Sequence, residues 1–517
     1  MTTPRYFTLA VLTASLSTSV GLADQIAEIG YDDLVARLTE AGLPVPDGGG
    51  LNIGQVEAID GGYAPDPSNF QISLTNFALQ SGATGNSTHA TLVGAYFYGR
   101  TFSPCPEVDT AFIWEANDFI GSGFLKYGTS STPTSLDGSI KAFNHSYIFS
   151  FSNTSANLQV LRRADFAANS SRALWTCSVN NGATTTTPVG FAGMYHALAV
   201  GLTNGNHSHT DTGVGTDGIG RMKPDIVAPA AQTSYAAPMV AACGLLLYET
   251  RETTPELADD TTSSFSQVVR AVLLAGAVRN EEWTNLDASP VERGVTARPF
   301  DEVFGAGVVN IDRAHRIYTG LRQDGESSLP AADTVVGSAW DFESMSQGEA
   351  LWHRFTLTQP ADEIAVAASW NRTVSSTFAS STLPDIDLEL FRIDGGSATP
   401  LRGEGVVAFE GGNVVSESAV DNHELLHVIG LPAGEYAVRA LRNDLVSASA
   451  RMGLAILIPE AGDPPLLGDL DGDGRVNGSD FGTLLAGWGG IDPALDLDGS
   501  GSVGGGDVGV MLANWTG

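Results

Sequence analysis

The order of strand-like and helix-like segments constrains the fold of this chain most strongly. Between residues 51 and 318, short apolar runs of strand character alternate with helical runs, as in Leu51–Val56 followed by Ala90–Tyr98. This alternation is typical of a parallel sheet with helices on both faces. After residue 330 the runs become short and alternate in polarity, with turn residues between them, which is typical of an all-β sandwich. The sequence therefore predicts a multidomain protein.

The charge balance excludes some classes of function. The chain has 26 basic and 59 acidic residues, a net charge of −33, and only three of the basic residues are lysines. A nucleic-acid partner is excluded, because its recognition needs basic patches that neutralise phosphate groups. Hydrophobic residues make up 43% of the chain, which is enough to build packed cores.

The amino terminus has the pattern of a signal peptide. Arg5 precedes an apolar run that starts at Phe7, and small residues end the segment at Ala23, the expected cleavage point. No later window is long and apolar enough to span a membrane. We therefore expect an exported protein, either secreted or at the cell surface.

Its three cysteines are too few for a disulfide scaffold, and we expect buried thiols at Cys105, Cys177 and Cys243.

Two Asp-rich segments near the carboxyl terminus have the spacing of calcium-binding loops. Ca²⁺ takes six to eight oxygen ligands, and oxygens at loop positions 1, 3, 5, 7, 9 and 12 can surround one ion. The ninth position of the second loop is Gly504, so a water molecule has to complete that shell. The predicted ligands are Asp469, Asp471, Asp473, Arg475 (through its backbone carbonyl), Asn477 and Asp480 in the first loop, and Asp496, Asp498, Ser500, Ser502 and Asp507 in the second.

This duplicated pattern resembles the dockerin module, a calcium-folded pair of half EF-hands. The resemblance implies Ca²⁺ as the bound ion and a cohesin-like protein as the partner. The clustered carboxylates should repel one another without metal, so we expect folding of residues 467–517 to be coupled to calcium binding.

A serine at a predicted helix start is the strongest candidate for chemistry. Thr233-Ser234 stands directly before a strongly apolar helical run. The unpaired N–H groups and the dipole at such a helix start can stabilise a developing oxyanion. A serine needs a base to become nucleophilic at neutral pH. The candidate base is His89, which also begins an apolar helical run.

These segments resemble the subtilisin-like serine proteases, the subtilase family. The matching residues are KPDIVAP and TSYAAPMVA around Ser234, and HATLVGA at His89. The resemblance implies that Ser234 is the nucleophile, His89 the base, and Asn181 the amide that completes the oxyanion hole. FNHSYI (143–148) resembles the strand that pairs with an extended substrate. The resemblance covers residues 51–320 and implies cleavage of peptide bonds in a protein or peptide substrate.

The third member of the triad stays open between two acids. Within LNIGQVEAIDGGY, Glu57 ends the cleaner strand pattern, whereas Asp60 lies in Ile-Asp-Gly-Gly, which is closer to the family's Asp-Ser/Thr-Gly. We favour Glu57 and retain both. Gln232 and Ala90 stand where the family usually has glycine. These departures leave an alternative function open, a catalytically inactive subtilisin-like scaffold that binds other molecules and carries the dockerin-like module.

One further motif suggests zinc. His423-Glu-Leu-Leu-His427 matches the pattern HExxH, which binds zinc when a helix places both histidines on one face. The flanking residues have a β pattern, so we predict a strand and no zinc.

The predicted organisation is a signal peptide at 1–23, a short N-terminal segment at 24–50, an α/β peptidase domain at 51–320, a β-sandwich at 330–460 and a dockerin-like module at 467–517, preceded by a linker at 461–466.

Overall fold

The chain forms two compact units, Met1–Ile458 and Pro459–Gly517. Most of the predicted signal peptide and the whole predicted linker lie outside the residues that the structure describes. None of the helices within the described part of the chain is both long enough and apolar enough to cross a membrane. The structure, a computed structural model, describes residues 8–10, 22–136, 138–151, 153–186, 190–286, 294–403, 409–458, 468, 470, 476–492 and 494–515.

A seven-stranded parallel sheet forms the framework of the larger unit. The strand order is β7-β6-β5-β4-β1-β3-β2, and every neighbouring pair is parallel. The predicted parallel α/β architecture is therefore confirmed. The strands are β1 (Asn52–Glu57), β2 (Asn76–Leu79), β3 (Thr110–Glu115), β4 (Ile140–His145), β5 (Leu174–Ser178), β6 (Ala197–Leu202) and β7 (Ile226–Ala228).

Helices cover this sheet because their apolar side chains join its two buried faces. One face packs with α3 and α5, and an aromatic cluster that includes Phe143 and Trp175 fills the other, next to α4. The helices are α1 (Leu22–Glu28), α2 (Tyr31–Glu40), α3 (Thr88–Tyr98), α4 (Thr154–Ser171), α5 (Thr233–Thr253), α6 (Ser266–Ala275) and α7 (Ile311–Thr319). Shorter helical turns are Phe70–Ile72, Ala116–Asp118, Phe119–Gly123, Phe191–Gly193, Pro255–Asp259, Thr261–Ser264 and Leu329–Ala331.

The amino-terminal segment differs from the prediction in one respect. The amphipathic pattern of residues 24–46 predicts one helix, but the structure has two, α1 and α2, separated at Gly30. Gly30 has a φ of +74°, and a Cβ at this position would lie 2.5 Å from the side chain of Asn310. A left-handed residue in close contact with its neighbour cannot continue a helix, so the chain turns here.

Two mainly antiparallel sheets follow, and their inner faces share one apolar core; the second also contains two short parallel pairs, Val295–Thr296 with Val415–Ser416 and Thr334–Val335 with Ala350–Leu357. The first contains β8, β14, β10, β12 and Gly411–Asn413 in that order, and the second is centred on β11, β13 and β9. The strands are β8 (Ala339–Met345), β9 (Ala350–Leu357), β10 (Ala361–Trp370), β11 (Ile386–Asp394), β12 (His423–Leu431), β13 (Gly434–Arg442) and β14 (Ala450–Leu457). Shorter strands are Thr8–Ala10, Ile148–Ser150, Thr210–Asp211, Met222–Lys223, Val295–Thr296, Thr334–Val335, Thr373–Val374, Ser381–Thr382, Ser397–Pro400, Gly411–Asn413 and Val415–Ser416.

Helix α6 joins the parallel sheet to the antiparallel sheets. Its residues Val268 and Val272 belong to the same apolar cluster as Ala365 and Ala367 of β10. The predicted α/β and β-sandwich regions therefore share buried contacts inside one compact unit, and their boundary near residue 330 stays a prediction. In the smaller unit, α8 (Gly478–Ala486) and α9 (Gly505–Ala513) contact each other around Val476, Leu484, Val503 and Met511.

The contact between α6 and β14 predicts a sensitive glycine. A Cβ on Gly453 would lie 2.6 Å from the backbone carbonyl carbon of Gln267, which cannot move without shifting α6. We expect Gly453→Ala to lower the free energy of unfolding by about 1–3 kcal/mol. The control is Gly411→Ala, whose Cβ would meet Ile429 at an ordinary 3.7 Å. Denaturant unfolding should separate the two variants, and equal stability would contradict this account of the contact.

Candidate active site

The candidate residues gather at one edge of the parallel sheet. Glu57 is the last residue of β1, and Asn181 follows the end of β5. His89 and Ser234 are each the second residue of a helix, α3 and α5, and these two helices pack against each other. The carboxyl ends of parallel strands are where α/β proteins place their binding sites, because the helices that follow begin there.

A buried ion pair connects the acid to the candidate base. His89 Nδ1 lies 2.9 Å from Glu57 Oε2, with the Glu57 side chain fully buried and that of His89 8% exposed. Burial lowers the pKa of His89, but the hydrogen bond and the negative charge of Glu57 outweigh it, with a smaller contribution from Asp60, so the pKa is raised above its usual 6.5. Asp60 is exposed, and no hydrogen bond joins it to His89 among the described residues. Of the two predicted acids, only Glu57 contacts the imidazole.

The candidate nucleophile is buried and held by a neighbouring loop. The Ser234 hydroxyl donates to the carbonyl of Ser146 over 3.5 Å, and the Ser146 hydroxyl donates to the carbonyl of Ser234 over 2.7 Å. No hydrogen bond joins Ser234 to His89 in the described part of the chain. The ring of Tyr235, the residue after Ser234, lies 6.4 Å from the imidazole, centroid to centroid.

Two unpaired donors lie at the first turn of α5. Asn181 Oδ1 accepts from the backbone N–H and from the hydroxyl of Thr233, each over 2.9 Å, and this fixes the amide. Within the part of the chain that the structure describes, Asn181 Nδ2 is buried without a partner. The backbone N–H of Ser234 also has no acceptor among the described residues. Buried donors are normally satisfied, so an unpaired pair beside a buried hydroxyl is suited to an anion that forms during a reaction.

A short strand follows the loop that contacts Ser234. The resemblance implies that residues 143–148 pair with an extended substrate, but residues 143–145 belong to β4, which pairs with β1 on one side and β5 on the other and has no free edge there. Ile148–Ser150 follows Ser146 and pairs antiparallel with Thr8–Ala10 of the same chain. The structure shows that the backbone shortly after β4 accepts an extended segment.

The second predicted calcium loop brings three carboxylates together. Oxygens of Asp496, Asp498 and Asp507 lie within 4.8 Å of one another. The N–H groups of Gly504 and Asp498 donate to Asp507, and they hold its pKa below the usual range. The hydroxyl of Ser500 donates to the carbonyl of Ser502, so both predicted ligands lie in the same turn. A cluster of carboxylates held in place in this way suits a hard cation such as Ca²⁺.

The first predicted loop is described only in part. Asp469, Asp471, Asp473 and Arg475 lie outside the described residues. Asp480 is buried and accepts from the N–H groups of Leu470 and Asn477, the same kind of contact that Asp507 makes in the second loop. Asn477 caps α8 by accepting from the N–H of Ser479.

The zinc-like motif lies on a strand, as its flanks predict. His423 and His427 belong to β12, where residues four apart are separated by roughly 13 Å. His423 packs beside Phe300, whereas His427 lies 3.2 Å from Glu363. Neither histidine belongs to a group of three or more potential metal ligands in the described residues.

The sequence analysis does not identify two residues that support the candidate site. Gln55 donates to Glu57, and Ser146 holds Ser234. Gln55 stands two positions before Glu57 and therefore faces the same side of β1, which is the one pattern that points to it. All three cysteines are buried free thiols, in agreement with the expectation.

No family model matches the chain, and no curated protein matches it. Among solved structures, the chain is similar to Sphericase, with a TM-score of 0.35 and 15% sequence identity. The similarity covers 54% of this chain and 97% of the other. At this TM-score the similarity carries no argument, so the functional interpretation depends on the sequence and the geometry given above.

The ion pair between Glu57 and His89 predicts the titration of His89. We expect an NMR titration to give this imidazole a pKa above 6.5 in the wild-type protein. Glu57→Gln removes the charge and leaves burial to act, so the pKa of His89 should fall. The control is Asp60→Asn, which should lower it less because Asp60 makes only the smaller contribution. An equal fall in both variants would contradict the assignment of Glu57 as the partner.

Proposed function

We propose that this protein is a secreted serine endopeptidase that hydrolyses peptide bonds with a serine, a histidine and an acid. The observation that carries the proposal is the buried Glu57–His89 pair, with a serine at the start of the helix that packs against the helix of His89. The resemblance of both motifs to the subtilases supports it, as does the signal-peptide pattern of residues 1–23. The substrate class is an extended protein or peptide segment, for which Ile148–Ser150 would offer a backbone edge once the predicted signal peptide, which contains Thr8–Ala10, is removed.

In the proposed mechanism, Ser234 Oγ attacks the scissile carbonyl carbon, and His89 Nε2 accepts the hydroxyl proton. Glu57 holds the imidazole with Nδ1 protonated and stabilises the imidazolium. The negative charge on the former carbonyl oxygen is stabilised by Asn181 Nδ2 and the N–H of Ser234, both unpaired. His89 then donates its proton to the leaving amine, and water repeats the sequence on the acyl-enzyme.

One observation favours a second candidate, an inactive scaffold of the same fold. The hydroxyl of Ser234 points to the carbonyl of Ser146 and makes no hydrogen bond to His89 within the described residues. Catalytic hydrogen bonds are often long without substrate and tighten when it binds, so this geometry alone does not decide between the two functions. A mechanism-based probe distinguishes the two functions.

A fluorophosphonate probe tests the enzyme directly, because it labels only an activated serine. We expect covalent labelling of the mature wild-type protein and none of Ser234→Ala. His89→Gln should reduce the labelling rate by about 10²–10⁴-fold, the usual contribution of a general base. Ser73→Ala, at an exposed serine, is the matched control and should still be labelled at Ser234. Failure to label folded, calcium-loaded wild-type protein would favour the scaffold.

We propose in addition that residues 467–517 form a calcium-dependent module that attaches the enzyme to a cohesin-like partner. The carboxylates of Asp496, Asp498 and Asp507 support the metal site. The duplicated helices also leave large apolar side chains exposed at equivalent positions, which a small soluble module would otherwise bury. These side chains are Leu485 and Trp488 beside α8, and Leu512 and Trp515 beside α9.

The calcium proposal predicts a change in stoichiometry. We expect Asp507→Asn in the full chain to bind one Ca²⁺ fewer than wild type in isothermal titration calorimetry, because it loses one of three clustered charges. Asp492→Asn, an exposed acid that lies before the loop, is the matched control and should keep the wild-type stoichiometry. Identical calcium binding by Asp507→Asn and wild type would exclude this site.

A further inference from the structure

A single buried amide connects the acid of the proposed triad to the helix that carries its base. Gln55 lies on β1 with a fully buried side chain. Its Nε2 donates to Glu57 Oε1 over 2.8 Å and to the carbonyl oxygen of Ala90 over 2.8 Å. Ala90 is the residue after His89, so one NH₂ group fixes both the carboxylate and the backbone beside the imidazole.

A second side chain fixes the amide in turn. The hydroxyl of Tyr98, on the same helix as His89, donates to Gln55 Oε1 over 2.6 Å. Burial raises the pKa of Tyr98 well above its usual value, so the phenol remains a donor. Gly94 makes room for it, because a Cβ there would lie 2.5 Å from the Tyr98 hydroxyl. Both amide hydrogens and the oxygen of Gln55 are thus used, and only one orientation satisfies all three contacts.

The length of the acid explains why such support is needed. The family that the motifs resemble usually has an aspartate in this role, whereas Glu57 has one more methylene group and one more rotatable bond. A carboxylate orients an imidazole only when it is itself fixed. Glu57 uses Oε2 for His89 and Oε1 for Gln55, so each oxygen has one defined partner.

We propose that Gln55, fixed by Tyr98, is a positioning residue that makes a glutamate competent in place of an aspartate at this site. It touches neither substrate nor the reacting atoms, and acts only through Glu57. The expected loss of activity rests on the proposed peptidase function. The structural part, that Gln55 keeps Glu57 hydrogen-bonded to His89, does not depend on that function.

The titration of His89 gives a test that does not require activity. Glu57 and Asp60 are the charged groups that act on this imidazole, and the hydrogen bond that His89 donates to Glu57 is the larger of their contributions. In Gln55→Met, which keeps the side-chain length but removes all three hydrogen bonds, Glu57 can turn away. We then expect the pKa of His89 to fall in an NMR titration, with the resonance assigned from its loss in His89→Gln.

Kinetics test the functional part. We expect Gln55→Met to lower kcat by about 10–100-fold, as supporting hydrogen bonds typically do, with KM unchanged. Tyr98→Phe removes only the hydroxyl, and it should shift kcat and the His89 titration in the same direction by a smaller amount. If Gln55→Met does not fold, Tyr98→Phe decides instead.

The outcomes separate the two proposals. An unchanged His89 pKa in folded Gln55→Met would overturn the positioning role, whatever the activity. A lowered pKa together with a wild-type protein that no fluorophosphonate labels would retain the role of Gln55 and reject the peptidase. A merely structural residue would change thermal stability without moving the pKa of His89.

Discussion

The packing of α3 against α5 is the contact on which the site depends. Both helices are buried along most of their length, and both begin at the same sheet edge. Ala95 of α3 and Ala236 and Ala237 of α5 belong to one apolar cluster. His89 and Ser234 are each the second residue of their helix, so the register of the packing determines the distance between the proposed base and the proposed nucleophile. A change in the core of these helices would therefore act on the chemistry.

Buried polar contacts join the antiparallel sheets to the parallel-sheet region near the start of β6. Arg270 of α6 donates to the carbonyl of Tyr195 and to Asn371, and the Asn422 side chain donates to the same Tyr195 carbonyl. Arg372 pairs with the fully buried Asp165 over 2.6 Å. Buried charges are costly unless they are paired, so removal of the β-region would take from Asp165 its ion-pair partner Arg372 and from Arg270 its contact with Asn371. The two regions are therefore expected to depend on each other for stability.

The features that the sequence predicts correctly are those that depend on local patterns of residues. Strand and helix periodicity place β1 and α3 within a few residues of their observed bounds, and the motifs at His89 and Ser234 indicate the proposed chemistry. The choice between Glu57 and Asp60 depends on a contact with a residue distant in the chain, which no local pattern encodes. Strand β2 is short and half-exposed, so it lacks a clear alternation. The division of the amino-terminal helix follows from contact with Asn310, which is equally invisible in the sequence.

The weak contact of Ser234 with Ser146 explains how one geometry fits both candidate functions. A hydrogen bond of 3.5 Å is at the outer limit of its range, and an ordinary one contributes only about 0.5–1.5 kcal/mol to stability. Such a bond can hold the hydroxyl in the absence of substrate, but it cannot oppose the stabilisation that a base and an oxyanion hole give a transition state, several kcal/mol in typical enzymes. The amide nitrogen of Asn181, unpaired among the described residues, has the opposite character, because a buried donor without an acceptor costs free energy that an incoming oxygen would recover. In the proposed mechanism the developing oxyanion is that acceptor, so the donor would contribute more to the transition state than to the resting state.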